Sequence, residues 1–93
     1  MHSDKRKTAL ITGSTSGIGL GIAKAFAARG YNLVFNGLEE NGSEIARKVA
    51  EQHGVEYLFS PANMLQPAAL REMVGEATQK FGAIDVFFGN RIA

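Results

Sequence analysis

The sequence has no cysteine, no tryptophan and only two prolines in 93 residues. Without cysteine it holds no disulfide framework, thiolate metal site or thiol nucleophile, and a reducing, cytoplasmic setting is the expectation. Two histidines, His2 and His53, are too few to build a metal site, so no metal is expected. An excess of one charge is also missing. Ten basic residues stand against nine acidic ones, and the longest basic run is Lys5-Arg6-Lys7. That balance gives no footprint for nucleic acid or an anionic membrane surface, and the triplet reads as a solvated lead-in to a strand. There is no long apolar run either. The stretch from Ala9 to Ala28 is broken by Thr12, Ser14, Thr15, Ser16 and Lys24 and carries four glycines, which excludes a membrane span or a signal-peptide core. What is present is 45% apolar residues with a net charge of +1, the composition of one small domain, or part of one, with a packed core.

Glycine and proline punctuate the chain at intervals that suit alternating strands and helices. Thr8 to Thr12 is mostly apolar, lacks alternation and stops at Gly13, as expected for a strand covered on both faces. From Ile18 the apolar positions Ile22, Ala25, Phe26 and Ala28 follow helical spacing up to Gly30. Asn32 to Asn36 forms a second strand ending at Gly37. Asn41 with Glu44 resembles a capping pair for a second helix, whose stripe of Ile45, Ala46, Val49 and Ala50 stops at Gly54. His53, beside that stop, reads as a dipole-favoured cation at a helix end. Val55 to Phe59 gives a third strand. Pro67 opens a third helix lined by Leu70, Met73, Val74, Ala77 and Phe81, closed by Gly82, and Ile84 to Phe88 is a fourth strand. The order β-α-β-α-β-α-β calls for an α/β fold: the amino-terminal half of a Rossmann-type, doubly wound parallel sheet, residues 1–93 forming a single partial domain.

One motif carries chemistry. Between the first strand and first helix lies Thr12-Gly13-Ser14-Thr15-Ser16-Gly17-Ile18-Gly19. Gly13 allows a tight turn, Gly17 lets backbone approach a pyrophosphate, and Gly19 lets the helix pack closely on the sheet. The helix N-terminus then offers unpaired N–H groups to phosphate, and the hydroxyls of Ser14, Thr15 and Ser16 can add hydrogen bonds. A Walker A loop is excluded because no Gly-Lys-Ser/Thr follows, and Lys24 lies well inside the helix.

These residues resemble the short-chain dehydrogenase/reductase family, whose first turn reads Thr-Gly, three residues, Gly, any residue, Gly. Within it, the string Thr12 to Ala23, the pair Asn36-Gly37 and the run Gln52-His53-Gly54-Val55 are similar to the D-3-hydroxybutyrate dehydrogenase branch. The resemblance spans about Lys7 to Phe88 and corresponds to the amino-terminal part of a family member. It implies that Gly13 to Gly19 hold pyrophosphate and ribose, that Asn36, Gly37 and Leu38 meet the adenosine ribose, and that Asn63-Met64 lie at the adenine. With no Lys or Arg at Ser16 or Leu38, the resemblance implies NAD over NADP. Glu39 and Glu40 read as a solvated turn, able to reach a ribose hydroxyl only if the loop folds back.

At the fourth strand's end the family reads Asn-Asn-Ala-Gly, whereas this chain has Gly89-Asn90-Arg91-Ile92-Ala93. Asn90 is retained as a cofactor residue, while Arg91 and Ile92 put bulk where smallness is needed. Premature termination or a frameshift near Phe87 would account for the tail, to be tested on the downstream nucleotides. The family's catalytic serine and Tyr-x-x-x-Lys have no counterpart, since Tyr31 and Tyr57 are followed four residues later by Phe35 and Pro61. No catalytic residue is therefore assigned. The expectation is an NAD-dependent oxidoreductase segment, inactive alone, whose small hydroxy or keto substrate belongs to a full-length relative. The competing readings are a non-catalytic dinucleotide-binding or docking module and a truncated product without function. An exposed apolar edge at Val86, Phe87 and Phe88 is expected in either case.

Overall fold

The computed structural model describes residues 6–89. Seven elements follow in order: β1 (Thr8–Ile11), α1 (Gly17–Ala28), β2 (Asn32–Asn36), α2 (Gly42–His53), β3 (Tyr57–Ser60), α3 (Pro67–Phe81) and β4 (Val86–Phe88). The strands form one parallel sheet ordered β3-β2-β1-β4, with Ala9 opposite Leu33 on one side and Val86 on the other. The chain thus winds outward from β1 to β3 and returns across the sheet to β4, as an α/β fold of Rossmann type requires.

Alternation along the strands sorts the core into two layers. Ala9, Ile11, Leu33 and Phe35 face α1 and α2 and pack with Ala23, Ala27, Ala46, Val49 and Ala50. Leu10 and Val34 face α3 and pack with Met73 and Ala77. Every residue of β1 and β2 is buried, which explains why their apolar residues follow one another without exposed polar ones between them. Asp85 fixes the start of the fourth strand, its carboxylate accepting from Thr8 N–H at 2.8 Å while its own N–H donates to Thr8 O at 2.9 Å.

Several boundaries differ from the sequence reading. β3 begins at Tyr57 rather than Val55, because Val55 N–H closes the end of α2 on Ala50 O at 3.1 Å. β4 begins at Val86 rather than Ile84, with Asp85 tied to β1 and Ile84 packed against the α3 layer. The Asn41–Glu44 capping pair does not form. Asn41 stands at the N-cap with φ −95° and ψ 17°, its side chain makes no cap bond, and Glu44 instead faces Lys48 at 3.4 Å. In α1 the buried positions are Gly19, Ala23 and Ala27, with Ile22 and Phe26 on the flank and Ile18 75% exposed. A face of small residues brings the helix axis close to the sheet, so the larger apolar side chains rotate to its margin.

Candidate dinucleotide site

The loops that leave the carboxyl ends of β1, β2 and β3 enclose a cleft of about 470 Å³. From the first loop it is lined by Gly13, Ser16, Gly17 and Ile18, from the second by Asn36, Gly37 and Leu38, and from the third by Asn63 and Met64. All of these are residues that sequence assigns to the cofactor. Thr12, Glu39, Ala62 and Leu65 also line the cleft and carry no such assignment. Asn90 lies outside the described residues.

The glycine loop has the backbone that its sequence demands. Gly13 and Gly17 have φ of 59° and 58°, the left-handed region that side chains rarely adopt. A Cβ at Gly17 would meet nothing within 4 Å, so the main chain there borders open space. α1 begins at the same point. Its N-cap Ser16 makes no side-chain cap bond and its first turn holds no acidic residue, so the helix presents its first N–H groups to the cleft without a competing anion from the helix itself.

Ser14 and Thr15 do not line the cleft. Ser14 is fully buried, its Oγ accepting from Asn36 N–H at 2.9 Å while its own N–H donates to Asn36 O at 2.7 Å. The Thr15 hydroxyl donates to Glu39 Oε1. These two hydroxyls join the first loop to the segment after β2, and of the three hydroxyl residues only Ser16 faces the cleft. Gly19, also outside it, sits buried at the contact between helix and sheet.

Asn36 is the hub of the site floor. Its Oδ1 accepts from Gly13 N–H at 3.1 Å, and its Nδ2 donates to Ser60 O at 3.1 Å and Ala62 O at 2.9 Å. One amide thereby pins the exits of β1, β2 and β3 together. Asn63 makes a local turn, its Oδ1 accepting from Leu65 N–H at 2.9 Å. Glu39, part of a solvated turn by sequence, has its carboxyl held below the ordinary glutamate range by hydrogen bonds from Thr15, from its own backbone and from Ser16. The one sequence signal for it is an acid three positions past the strand end.

The rim is apolar. Of the five large apolar residues that stand exposed among those described, Ile18, Leu38 and Leu65 surround this cleft, at 75%, 70% and 88% exposure. A glycine turn, a helix N-terminus and an apolar mouth at the carboxyl ends of parallel strands are the attributes of a Rossmann-type nucleotide fold.

Comparison with known proteins gives the family. Residues 7–91 match the short chain dehydrogenase family, and the chain belongs to it. Members bind a nicotinamide dinucleotide. A D-beta-hydroxybutyrate dehydrogenase of Cupriavidus necator is 42% identical over 84 residues, covering 90% of this chain and 33% of that protein. One from Rhizobium meliloti is 38% identical over 86 residues, again covering 33% of its length. Among solved structures, L-sorbose reductase from Gluconobacter frateurii, complexed with NADPH and L-sorbose, superposes with a TM-score of 0.88 at 34% identity, covering 95% of this chain and 34% of that one. An alcohol dehydrogenase from Thermococcus sibiricus, complexed with 5-hydroxy-NADP, gives 0.83 at 30% identity, with 89% and 36% covered. The chain spans about a third of the length of the relatives it matches. No helix among the described residues is long and apolar enough to cross a membrane.

Proposed function

We propose that this chain is the dinucleotide-binding portion of a short-chain oxidoreductase that uses NAD, with a small secondary alcohol or ketone of the 3-hydroxybutyrate type as substrate. The observation that carries the reading is the cleft itself, where open main chain at Gly17 meets the uncapped start of α1. The residues fit the group. Gly13, Ser16 and Gly17 would hold the pyrophosphate, Gly37 and Leu38 the adenosine ribose, and Met64, Ile18 and Leu65 the base and its surroundings. NADPH and 5-hydroxy-NADP belong to the two neighbours named above. In this chain no Lys or Arg among the described residues lines the cleft to balance a 2′-phosphate, which supports NAD here, as does the identity with two hydroxybutyrate dehydrogenases. A cytoplasmic setting, where NAD is abundant and cysteine is not needed, is part of the same proposal.

A bound nicotinamide supplies hydride transfer, but proton transfer to or from the substrate oxygen needs a side chain of suitable pKa. The sequence contains no Tyr-x-x-x-Lys, and neither Tyr31 nor Tyr57 has a lysine four residues on. The 93 residues by themselves are therefore proposed to bind NAD without turnover. The test is a ¹⁵N–¹H spectrum of the purified chain at rising NAD, with NADH formation from 3-hydroxybutyrate followed in parallel. The expected result is shifts at Gly13, Gly17, Leu38 and Met64 with no NADH formed. Unchanged peaks throughout would overturn the binding reading, and steady NADH production would overturn the claim of inactivity.

A further inference from the structure

The anionic group that faces the cleft is not at the end of β2. Asn36 ends that strand, and its amide is already committed to Gly13, Ser60 and Ala62. Glu39, three residues further on, lines the cleft instead. Its carboxylate is tied down from below. Oε1 accepts from the hydroxyl of Thr15, a residue only 2% exposed. The missing side chain at Gly37 makes this possible. A Cβ built there would overlap Thr15 Oγ1, come within 2.8 Å of Glu39 Oε1 and lie 2.9 Å from Thr15 Cβ. Thr15, Gly37 and Glu39 thus form one clasp between the glycine loop and the segment after β2.

We propose that Thr15 is the positioning residue for Glu39 and does not touch the phosphates. In this reading the threonine–glutamate pair, not the residue that ends β2, makes the chain prefer a dinucleotide with free adenosine-ribose hydroxyls over one bearing a 2′-phosphate. The inference rests on the dinucleotide reading above. A fixed carboxylate accepts hydrogen bonds from a ribose diol and repels a phosphate dianion. Fixation is what gives the repulsion its effect. An unrestrained glutamate on an exposed turn swings away from an incoming anion at little cost, whereas one bonded to a buried hydroxyl must first break that bond. No described cationic side chain of the cleft offsets the charge.

The test compares NAD and NADP binding to the 93-residue chain, read from ¹⁵N–¹H shifts, with the Glu39 carboxyl titration followed by ¹³C. The original chain is expected to favour NAD by about tenfold or more, a difference equivalent to roughly 1.4 kcal/mol. Thr15→Val keeps the volume and removes the donor. It is expected to bring the preference to within about threefold and to move the Glu39 titration upward, since Thr15 is the largest of the causes that lower it. Thr15→Ser should restore both, a rescue that a purely structural threonine would not give. Glu39→Gln, a surface change that leaves the core intact, should abolish the preference alone. A wild-type preference retained by either Thr15→Val or Glu39→Gln overturns the proposal while leaving dinucleotide binding in place. If the original chain binds neither NAD nor NADP, the dinucleotide reading itself fails, and the proposal with it.

Discussion

Replacing Asn36 by aspartate is expected to lower the Tm by more than about 10 °C at neutral pH, although the two side chains have the same shape. Nδ2 of Asn36 donates to two main-chain carbonyls, Ser60 O and Ala62 O. Aspartate presents an oxygen to both. Two hydrogen bonds are lost, two carbonyls face a like partial charge, and the residue is only 3% exposed. Losses of this kind cost about 1–3 kcal/mol per unsatisfied group, and each kcal/mol lowers the Tm of a domain this size by about 4–8 °C. The pH dependence has a definite sign. Burial and the two carbonyls favour the neutral acid, so the folded pKa of the introduced carboxyl lies above its unfolded value of about 3.9. The folded state then binds more protons than the unfolded one in the window above that value, and stability relative to the parent falls as pH rises through it. Asn36→Leu, which also strips the acceptor from Gly13 N–H, should be destabilised without that pH dependence. Thermal melts of the parent and both variants from acid to neutral pH decide the matter, and an Asn36→Asp melt that superposes on the parent's would remove Asn36 from its role as hub.

The second large effect is expected at β4. Leu10 pairs with Phe87 and Ile11 with Phe88, so one side of β4 is satisfied by β1. Thr12 N–H bonds to Phe88 O, which by alternation along the strand turns the main chain of Val86 and Phe88 toward β1 and leaves the N–H and carbonyl of Phe87 on the open side. Phe87 and Phe88 are 51% and 39% exposed and lie on opposite faces. The other edge is defended. Lys80 Nζ donates to Tyr57 O at 2.7 Å, its charge lies 5.9 Å from the Tyr57 ring centre, and Pro61 follows the strand. Among the described residues nothing comparable guards Val86 to Phe88, where no charge or proline stands on the strand. The chain is therefore expected to self-associate as its concentration rises, and Phe87→Lys to weaken that association by about tenfold or more, equivalent to roughly 1.4 kcal/mol. Sedimentation velocity across a dilution series is the measurement. A parent chain that stays monomeric, or a lysine variant that assembles as readily, would show that this edge is not adhesive.

The fold was legible because its signals were local and redundant. Apolar runs without alternation after Thr8 and Asn32, glycine at every turn except the one after β3 and proline at position 67 agree with one another, and a parallel sheet follows from their order. The misread boundaries fell where hydrogen bonds across elements decide the outcome, as at Val55, which is drawn onto α2, and at Asn41, whose backbone is not extended enough to cap. The glycine motif lies at the cleft for the same reason, since it stands where a strand ends and a helix begins. Side-chain direction was not legible: Ser14, Thr15 and Ser16 are consecutive hydroxyl residues, yet two turn toward β2 and its following turn while one faces the cleft. Nor could spacing show that the Asn36 amide is committed on every side, or that a bare Cα at Gly37 lets Glu39 fold back. Those outcomes depend on which backbone atoms other strands bring within reach.

The position of β1 also governs the order in which the sheet can assemble. β1 is the first strand in the chain and lies between β2 and β4, so both of its sides must be satisfied, one early and one late. The bond from Thr8 N–H to Asp85 closes a span of 77 residues. Contacts that distant are entropically expensive to form and slow folding relative to helix-rich chains of equal size. The three strands β1 to β3 with α1 and α2 already share one continuous apolar layer, while β4 contributes only Val86 to it. Docking of β4 is thus expected to be the late step in folding and its release the early step in opening. Amide hydrogens of Val86 and Phe88, on the side of β4 that faces β1, are expected to exchange sooner than those of Leu33 and Phe35, which makes the fourth strand the hinge of this sheet's kinetic life.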